Sequence, residues 1–106
     1  MEKTSFEILD DIVKRIVETS RPSKVILFGS AARGNMTENS DFDLLVIMKN
    51  GIHRRRTAQQ IYRDISDIGF ASDILVVTEE DLELYGEDEA SIIKPALKEG
   101  KILYAS

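Results

Sequence analysis

Residues 25–48 constrain the fold most strongly, because they contain two apolar, strand-like runs joined by a short polar connection. The first run closes at Gly29-Ser30, and the second opens at Asp41-x-Asp43. A glycine-serine turn can surround a phosphate with backbone N–H groups and a hydroxyl. Two carboxylates that are two residues apart in a strand point to one face of a sheet and can hold a divalent metal ion. The stretch therefore predicts a nucleotide site.

Composition and charge argue against several other kinds of site and of protein. The 106 residues include no cysteine, so disulfides and thiolate metal sites are excluded. The apolar runs are far shorter than the roughly 20 residues that a membrane-spanning helix needs, and the N-terminus has no apolar signal core. The formal net charge of −5 argues against an extended nucleic-acid surface. We therefore expect a soluble, cytoplasmic protein with one domain over residues 1–106, without a membrane or direct nucleic-acid partner.

Hydrophobic spacing and capping residues predict an alternation of helices and strands. Thr4-x-x-Glu7 resembles a capping box at the start of the first helix, and Arg21-Pro22 ends that helix. Residues 30–34 are predicted to form a helical turn and residues 35–40 a polar loop. The other predicted elements are strands at 24–28, 42–48 and 72–77, helices at 54–68 and around 91–99 with a kink or late start at Pro95, an N-cap at Thr78, and a short edge strand at 101–104.

A shared site also predicts the strand directions. If Gly29-Ser30 and Asp41-x-Asp43 belong to one site, the end of the first strand lies beside the start of the second, so these strands are antiparallel. A strand–helix–strand unit is normally parallel and right-handed, which brings the start of the third strand, with Asp73, to the same sheet edge. The expected fold class is α/β (α+β), a small mixed sheet with helices packed against it. Three carboxylates can hold two magnesium ions when nucleotide phosphates supply the remaining oxygens.

These residues resemble the motif of the nucleotidyltransferase superfamily related to DNA polymerase beta. The motif consists of Gly29-Ser30, ten intervening residues, Asp41-Phe42-Asp43, and a later strand aspartate at Asp73. The short chain and its local sequence Phe-Gly-Ser-Ala-Ala-Arg-Gly…Ser-Asp-Phe-Asp-Leu resemble the minimal nucleotidyltransferase branch of that superfamily. Glycine-serine alone or Asp-x-Asp alone would be a weak signal, but together at this spacing they are specific. The resemblance covers nearly the whole chain and implies the nucleotidyltransferase fold.

The resemblance implies a role for each motif residue. Asp41 and Asp43 would hold two Mg²⁺ ions, and Asp73 would complete the catalytic metal site and favour deprotonation of an acceptor hydroxyl. One ion would activate that hydroxyl, and the other would bind the triphosphate and stabilise the departing pyrophosphate. The Ser30 hydroxyl and the amides of its turn would hold the terminal phosphates of ATP, the nucleotide donor. Arg33, one turn further on, would be an additional phosphate partner.

The same residues also have ordinary structural explanations. Asp41-x-Asp43 could be solvated loop carboxylates, Asp73 an ordinary strand-start aspartate, and Arg33 a surface residue. Gly29-Ser30 could simply end a strand and cap a turn, although both roles are compatible with phosphate binding. Their combination at this spacing favours the metal and phosphate roles.

The sequence does not decide the role of two charged segments. His53 and the three arginines at 54–56 are either a solvated helix start or a surface that faces a partner or a phosphate, since cations oppose the helix dipole there. The acidic run from Glu79 to Glu89 is expected to be a solvated helix face and loop. Both segments are candidate docking surfaces.

The resemblance also implies a partner. Minimal nucleotidyltransferases are commonly paired, as antitoxin to toxin, with a helical HEPN protein, and transfer AMP from ATP to one of its tyrosines. This chain lacks the arginine-then-histidine motif of the HEPN partner, so we expect the protein adenylyltransferase half of a toxin–antitoxin system, in a hetero-oligomer with its toxin. Two alternatives stay open: an antitoxin that inhibits by occlusion without catalysis, and a nucleotidyltransferase that acts on a small molecule.

Overall fold

The computed structural model describes residues 4–29, 42–69, 72–88, 91 and 93–106, which form a mixed α+β architecture. The strands are β1 (Lys24–Phe28), β2 (Phe42–Met48), β3 (Ser72–Thr78) and β4 (Lys101–Ala105). The helices are α1 (Ser5–Ser20), α2 (Arg54–Ile65) with a following 3-10 turn (Ser66–Ile68), α3 (Glu79–Tyr85) and α4 (Ile93–Glu99). Within these ranges no helix has both the length and the apolar content that a bilayer span requires.

The four strands form one sheet with the order β3-β2-β1-β4. β1 and β2 are antiparallel, so Phe28 at the end of β1 lies opposite Asp43 near the start of β2. β2 and β3 are parallel, with Asp43 opposite Asp73. β4 pairs with the other side of β1 and occupies a sheet edge. The predicted strand directions and the predicted edge strand are therefore confirmed.

The sheet is covered on both faces, and the alternation of side chains along β2 assigns each residue to one face. Phe42, Leu44, Val46 and Met48 belong to the larger core, which α1 and α2 complete with apolar side chains such as Ile12. The intervening residues of β2 belong to the smaller core on the opposite face, whose members are Ile26, Leu45, Ile47, Val77, Ile93 and Ala96. Asp43 shares this second face with Leu45 and Ile47, because it is separated from them by even numbers of residues.

The helix boundaries follow from capping residues. The Thr4 side chain accepts a hydrogen bond from the Glu7 N–H at 3.2 Å, and α1 ends at Ser20. The helix predicted at 54–68 is α-helical only to Ile65 and continues as a 3-10 turn that stops before Gly69, which has φ +78°. α4 begins at Ile93, so Pro95 lies in its first turn, where proline is tolerated. The late start predicted from Pro95 is therefore confirmed. The predicted turn at 30–34 and loop at 35–40 lie outside the described residues.

The acidic segment contains one residue for which the solvated interpretation is wrong. Asp81 is only 9% exposed and forms a capping box with Thr78 at the start of α3. Its carboxylate also accepts a hydrogen bond from the Arg54 guanidinium at 3.1 Å. A buried carboxylate needs such partners, because an uncompensated charge is costly to remove from water. Asp81 therefore links the start of α3 to the start of α2.

Candidate active site

Two of the three predicted metal-binding carboxylates lie side by side. Asp43 and Asp73 are direct partners in the parallel β2–β3 pair, in which neighbouring strands are roughly 4.8 Å apart. Paired residues of adjacent strands project to the same sheet face, so both belong to the face that α4 partly covers. Asp73 is exposed and Asp43 is half-buried. The strand register thus brings together residues that are thirty positions apart in the sequence.

Gly29 lies directly against the Asp43 carboxylate. Its φ of +75° is in the left-handed region that glycine adopts readily and other residues do not. A Cβ built on Gly29 would overlap Oδ2 of Asp43 and lie 3.2 Å from its Cγ. Both the backbone conformation and the close approach therefore favour glycine at this position. The end of β1 meets the starts of β2 and β3 at one end of the sheet.

The other predicted site residues, Ser30, Arg33 and Asp41, lie outside the described residues. Their roles in phosphate and metal binding stay predictions from the sequence. Asp41 precedes the described Asp43 by two positions, and Ser30 follows the described Gly29 directly.

Asp43 and Asp73 supply two carboxylates of the kind that binds a divalent cation, and the described residues contain no cluster of three or more such side chains. Carboxylate oxygens are the ligands that Mg²⁺ prefers in proteins. Asp43 and Asp73 present two carboxylates on adjacent strands, and Asp73 is open to solvent. The missing side chain of Gly29 leaves the space beside Oδ2 of Asp43 free of a Cβ. Two negative charges placed side by side favour a bound cation.

The arginine cluster lies at the opposite end of the sheet. From Asp43 to the end of β2 at Met48 the strand rises roughly 17 Å, before the chain turns into α2. Arg54 is paired with Asp81, which follows the far end of β3. The His53 Nδ1 accepts the Arg56 N–H at 3.1 Å and so caps α2. This position argues against a role for the cluster in binding phosphates beside Asp43.

Three hydrogen bonds between distant residues have no local signal in the sequence. The Ile74 N–H donates to the Tyr62 hydroxyl at 2.8 Å, directly after Asp73. The Arg15 guanidinium binds the Asp64 carbonyl at 2.6 Å and the Asp67 carboxylate at 2.9 Å. The hydrogen bond and charge of Arg15 hold the pKa of Asp67 below its ordinary value. The packing of α2 against β3 brings Tyr62 to Ile74, and the packing of α1 against α2 brings Arg15 to Asp64 and Asp67.

A small mixed sheet with a glycine turn at the end of β1 and paired aspartates on β2 and β3 defines a nucleotidyltransferase-type domain. The chain belongs to this family: the model described as "Polymerase beta, Nucleotidyltransferase" matches residues 10–106.

One relative is similar to part of this chain. The Methanocaldococcus jannaschii protein MJ1305, which carries the provisional name of protein adenylyltransferase, is 42% identical over 66 residues. The match covers 60% of this chain and 45% of the relative, so this chain corresponds to less than half the length of that protein.

The structural neighbours share the fold. A provisionally named nucleotidyltransferase from Sulfolobus solfataricus has a TM-score of 0.60 at 18% identity, over 93% of this chain and 78% of its own. A toxin–antitoxin structure with AMP-PNP has a TM-score of 0.56 at 20% identity, over 92% of this chain and 73% of its own. A variant of the toxin–antitoxin complex MntA-HpeT has the same TM-score and identity, over 92% of this chain and 72% of its own.

Proposed function

We propose that this chain is a metal-dependent nucleotidyltransferase that transfers AMP from ATP to a tyrosine hydroxyl of a HEPN-type toxin, and that it thereby acts as an antitoxin. The observation that carries the proposal is the direct register of Asp43 and Asp73 beside Gly29. Family membership supports nucleotidyl transfer. The name of the relative supports a protein acceptor, and the toxin–antitoxin neighbours support ATP and a toxin as partners.

The carboxylates would perform the central part of the reaction. Asp43 and Asp73, together with Asp41, would hold two Mg²⁺ ions, which supply charge neutralisation of the triphosphate and activation of the acceptor hydroxyl. Asp73 is the exposed member of the described pair, so its carboxylate can accept the proton of a hydroxyl that arrives from solvent. The acceptor oxygen then bonds to the α-phosphorus as the bond to the bridging oxygen breaks and pyrophosphate leaves.

The turn after β1 would hold the nucleotide. Gly29 has no Cβ, which would overlap Oδ2 of Asp43. The Ser30 hydroxyl and the amides of the turn would bind the terminal phosphates, and Arg33 would balance part of their charge. A protein acceptor suits this site because a tyrosine carried on another surface can reach the exposed Asp73.

The test is intact-mass analysis of the protein encoded beside this gene, after co-expression with this chain. Two parallel samples carry Asp41→Asn or Asp43→Asn, and each substitution removes the charge of the carboxylate and keeps the shape of the side chain. Asp10→Asn is the matched control, because Asp10 lies in α1 with an exposed side chain paired to Lys14. We expect the partner to gain adenylyl groups with the unmodified chain and with the control, and to gain none with Asp41→Asn or Asp43→Asn.

The other outcomes are equally informative. A partner that co-purifies without added mass in every sample would refute adenylyl transfer to it and make inhibition by occlusion the better account. A partner that neither binds nor gains mass would refute the antitoxin role. A search for small-molecule products of the purified chain with ATP would then follow.

A further inference from the structure

β3, which carries Asp73, is an edge strand. Among the described residues it pairs with β2 on one side and lies at one end of the four-stranded sheet. The outer N–H groups of an edge strand have no neighbouring strand to satisfy them. One of these groups, the Ile74 N–H, donates to the Tyr62 hydroxyl oxygen at 2.8 Å. The phenol thus replaces a neighbouring strand at the residue directly after Asp73.

The helix that presents Tyr62 is firmly anchored. Ile61 and Ile65 of α2 are 0% and 6% exposed in the larger core. Arg15 of α1 holds the end of α2 through the Asp64 carbonyl and the adjoining 3-10 turn through the Asp67 carboxylate. Groups that position an active site work best when they are carried on such rigid elements. The hydroxyl of Tyr62 therefore meets β3 from a fixed support.

Asp73 itself has little side-chain packing to fix its position. Its side chain is exposed, whereas the next residue, Ile74, is 9% exposed and packs in the larger core on the opposite face. The backbone of β3 therefore determines how far the Asp73 carboxylate lies from that of Asp43. The hydrogen bonds to β2 restrain that backbone on its inner side, and the hydrogen bond to Tyr62 restrains it on the outer side.

We propose that Tyr62 is a positioning residue, whose hydroxyl holds the backbone at Asp73 so that the two aspartates stay in register for metal binding and nucleotidyl transfer. This inference rests on the proposed function of the site. Tyr62 is 43% exposed, and its replacement by phenylalanine removes the hydroxyl while it keeps the ring. Small displacements of reacting groups lower catalytic rates strongly.

The test compares the full chain with Tyr62→Phe. NMR hydrogen exchange measures the protection of the Ile74 amide, and EPR titration with Mn²⁺ in the presence of AMP-PNP measures metal affinity. Steady-state transfer to the partner toxin gives kcat and the KM for ATP separately. Tyr85→Phe is the matched control, because Tyr85 is also a helical tyrosine and is 44% exposed.

We expect faster exchange at Ile74, weaker Mn²⁺ binding and a kcat lowered roughly 2- to 12-fold in Tyr62→Phe, with the KM for ATP unchanged. The control should match the unmodified chain in every measurement. Unchanged exchange at Ile74 would overturn the inference. So would faster exchange with unaltered Mn²⁺ affinity and kcat, since the bond would then be merely structural. If the unmodified chain transfers no nucleotide, the proposed function fails, and Ile74 exchange and Mn²⁺ affinity still report on the role of Tyr62.

Discussion

Replacement of Gly29 by alanine should separate stability from metal binding. The added Cβ meets two obstacles, the left-handed backbone at φ +75° and the Asp43 carboxylate. A non-glycine residue in the left-handed region costs about 1–2 kcal/mol of folding free energy, so the melting temperature should fall by about 4–16 °C. The overlap falls on the end of a flexible side chain, which can turn away. The fold should therefore survive while the Asp43 carboxylate is displaced.

The displaced carboxylate is a predicted metal ligand, so Mn²⁺ binding should weaken by about 10- to 100-fold. Gly69→Ala is the matched control, since Gly69 has φ +78° and no atom within 4 Å of the added Cβ. Both variants are melted by circular dichroism and titrated with Mn²⁺ by EPR. Both should lose similar stability, and Gly29→Ala alone should lose metal affinity. Equal Mn²⁺ affinity in the two variants would refute the argument that Gly29 exists to leave room for Asp43.

Two further predictions concern the scaffold. Asp81→Ala should lower the free energy of unfolding by roughly 1–3 kcal/mol in urea denaturation, because its carboxylate then no longer accepts hydrogen bonds from the Thr78 N–H in the capping box and from Arg54; the exposed neighbour variant Glu80→Ala should change it by less than about 0.5 kcal/mol, and equal losses would contradict the linking role. Arg15 depresses the pKa of Asp67 in the folded state. The Asp67 carboxylate therefore stabilises the fold fully above its ordinary pKa of 3.8, and this stabilisation is lost as the pH falls through the lower pKa of the folded state. Asp67→Asn should therefore show a smaller decline of the urea midpoint between pH 5 and 3 than the unmodified chain, and an identical decline would exclude the pair as a source of acid sensitivity.

Much of the fold could be predicted from local sequence signals. Alternating and helical hydrophobic spacing indicated the strands and helices, and capping residues such as Thr78 indicated where helices begin. The glycine-serine turn and the Asp-x-Asp pair lie close in sequence, so their common site predicted the antiparallel β1–β2 pairing. The helix after β2 then predicted parallel pairing of β3, because right-handed crossovers are strongly preferred. The location of the site at one sheet end followed from these directions.

The exact contacts at the site depended on tertiary packing. The residue-by-residue register of Asp43 with Asp73 is set by how the apolar faces of β2 and β3 fit their helices, which no local pattern specifies. The hydrogen bond from Ile74 to Tyr62, beside Asp73, joins two elements across 12 residues. At the opposite end of the sheet, the pairing of Arg54 with Asp81 joins two elements across 27 residues. The sequence by itself determined which residue types the site contains and which strand ends carry them. Only the folded chain decided which side chains support them, because long-range contacts form where helices and sheet pack together.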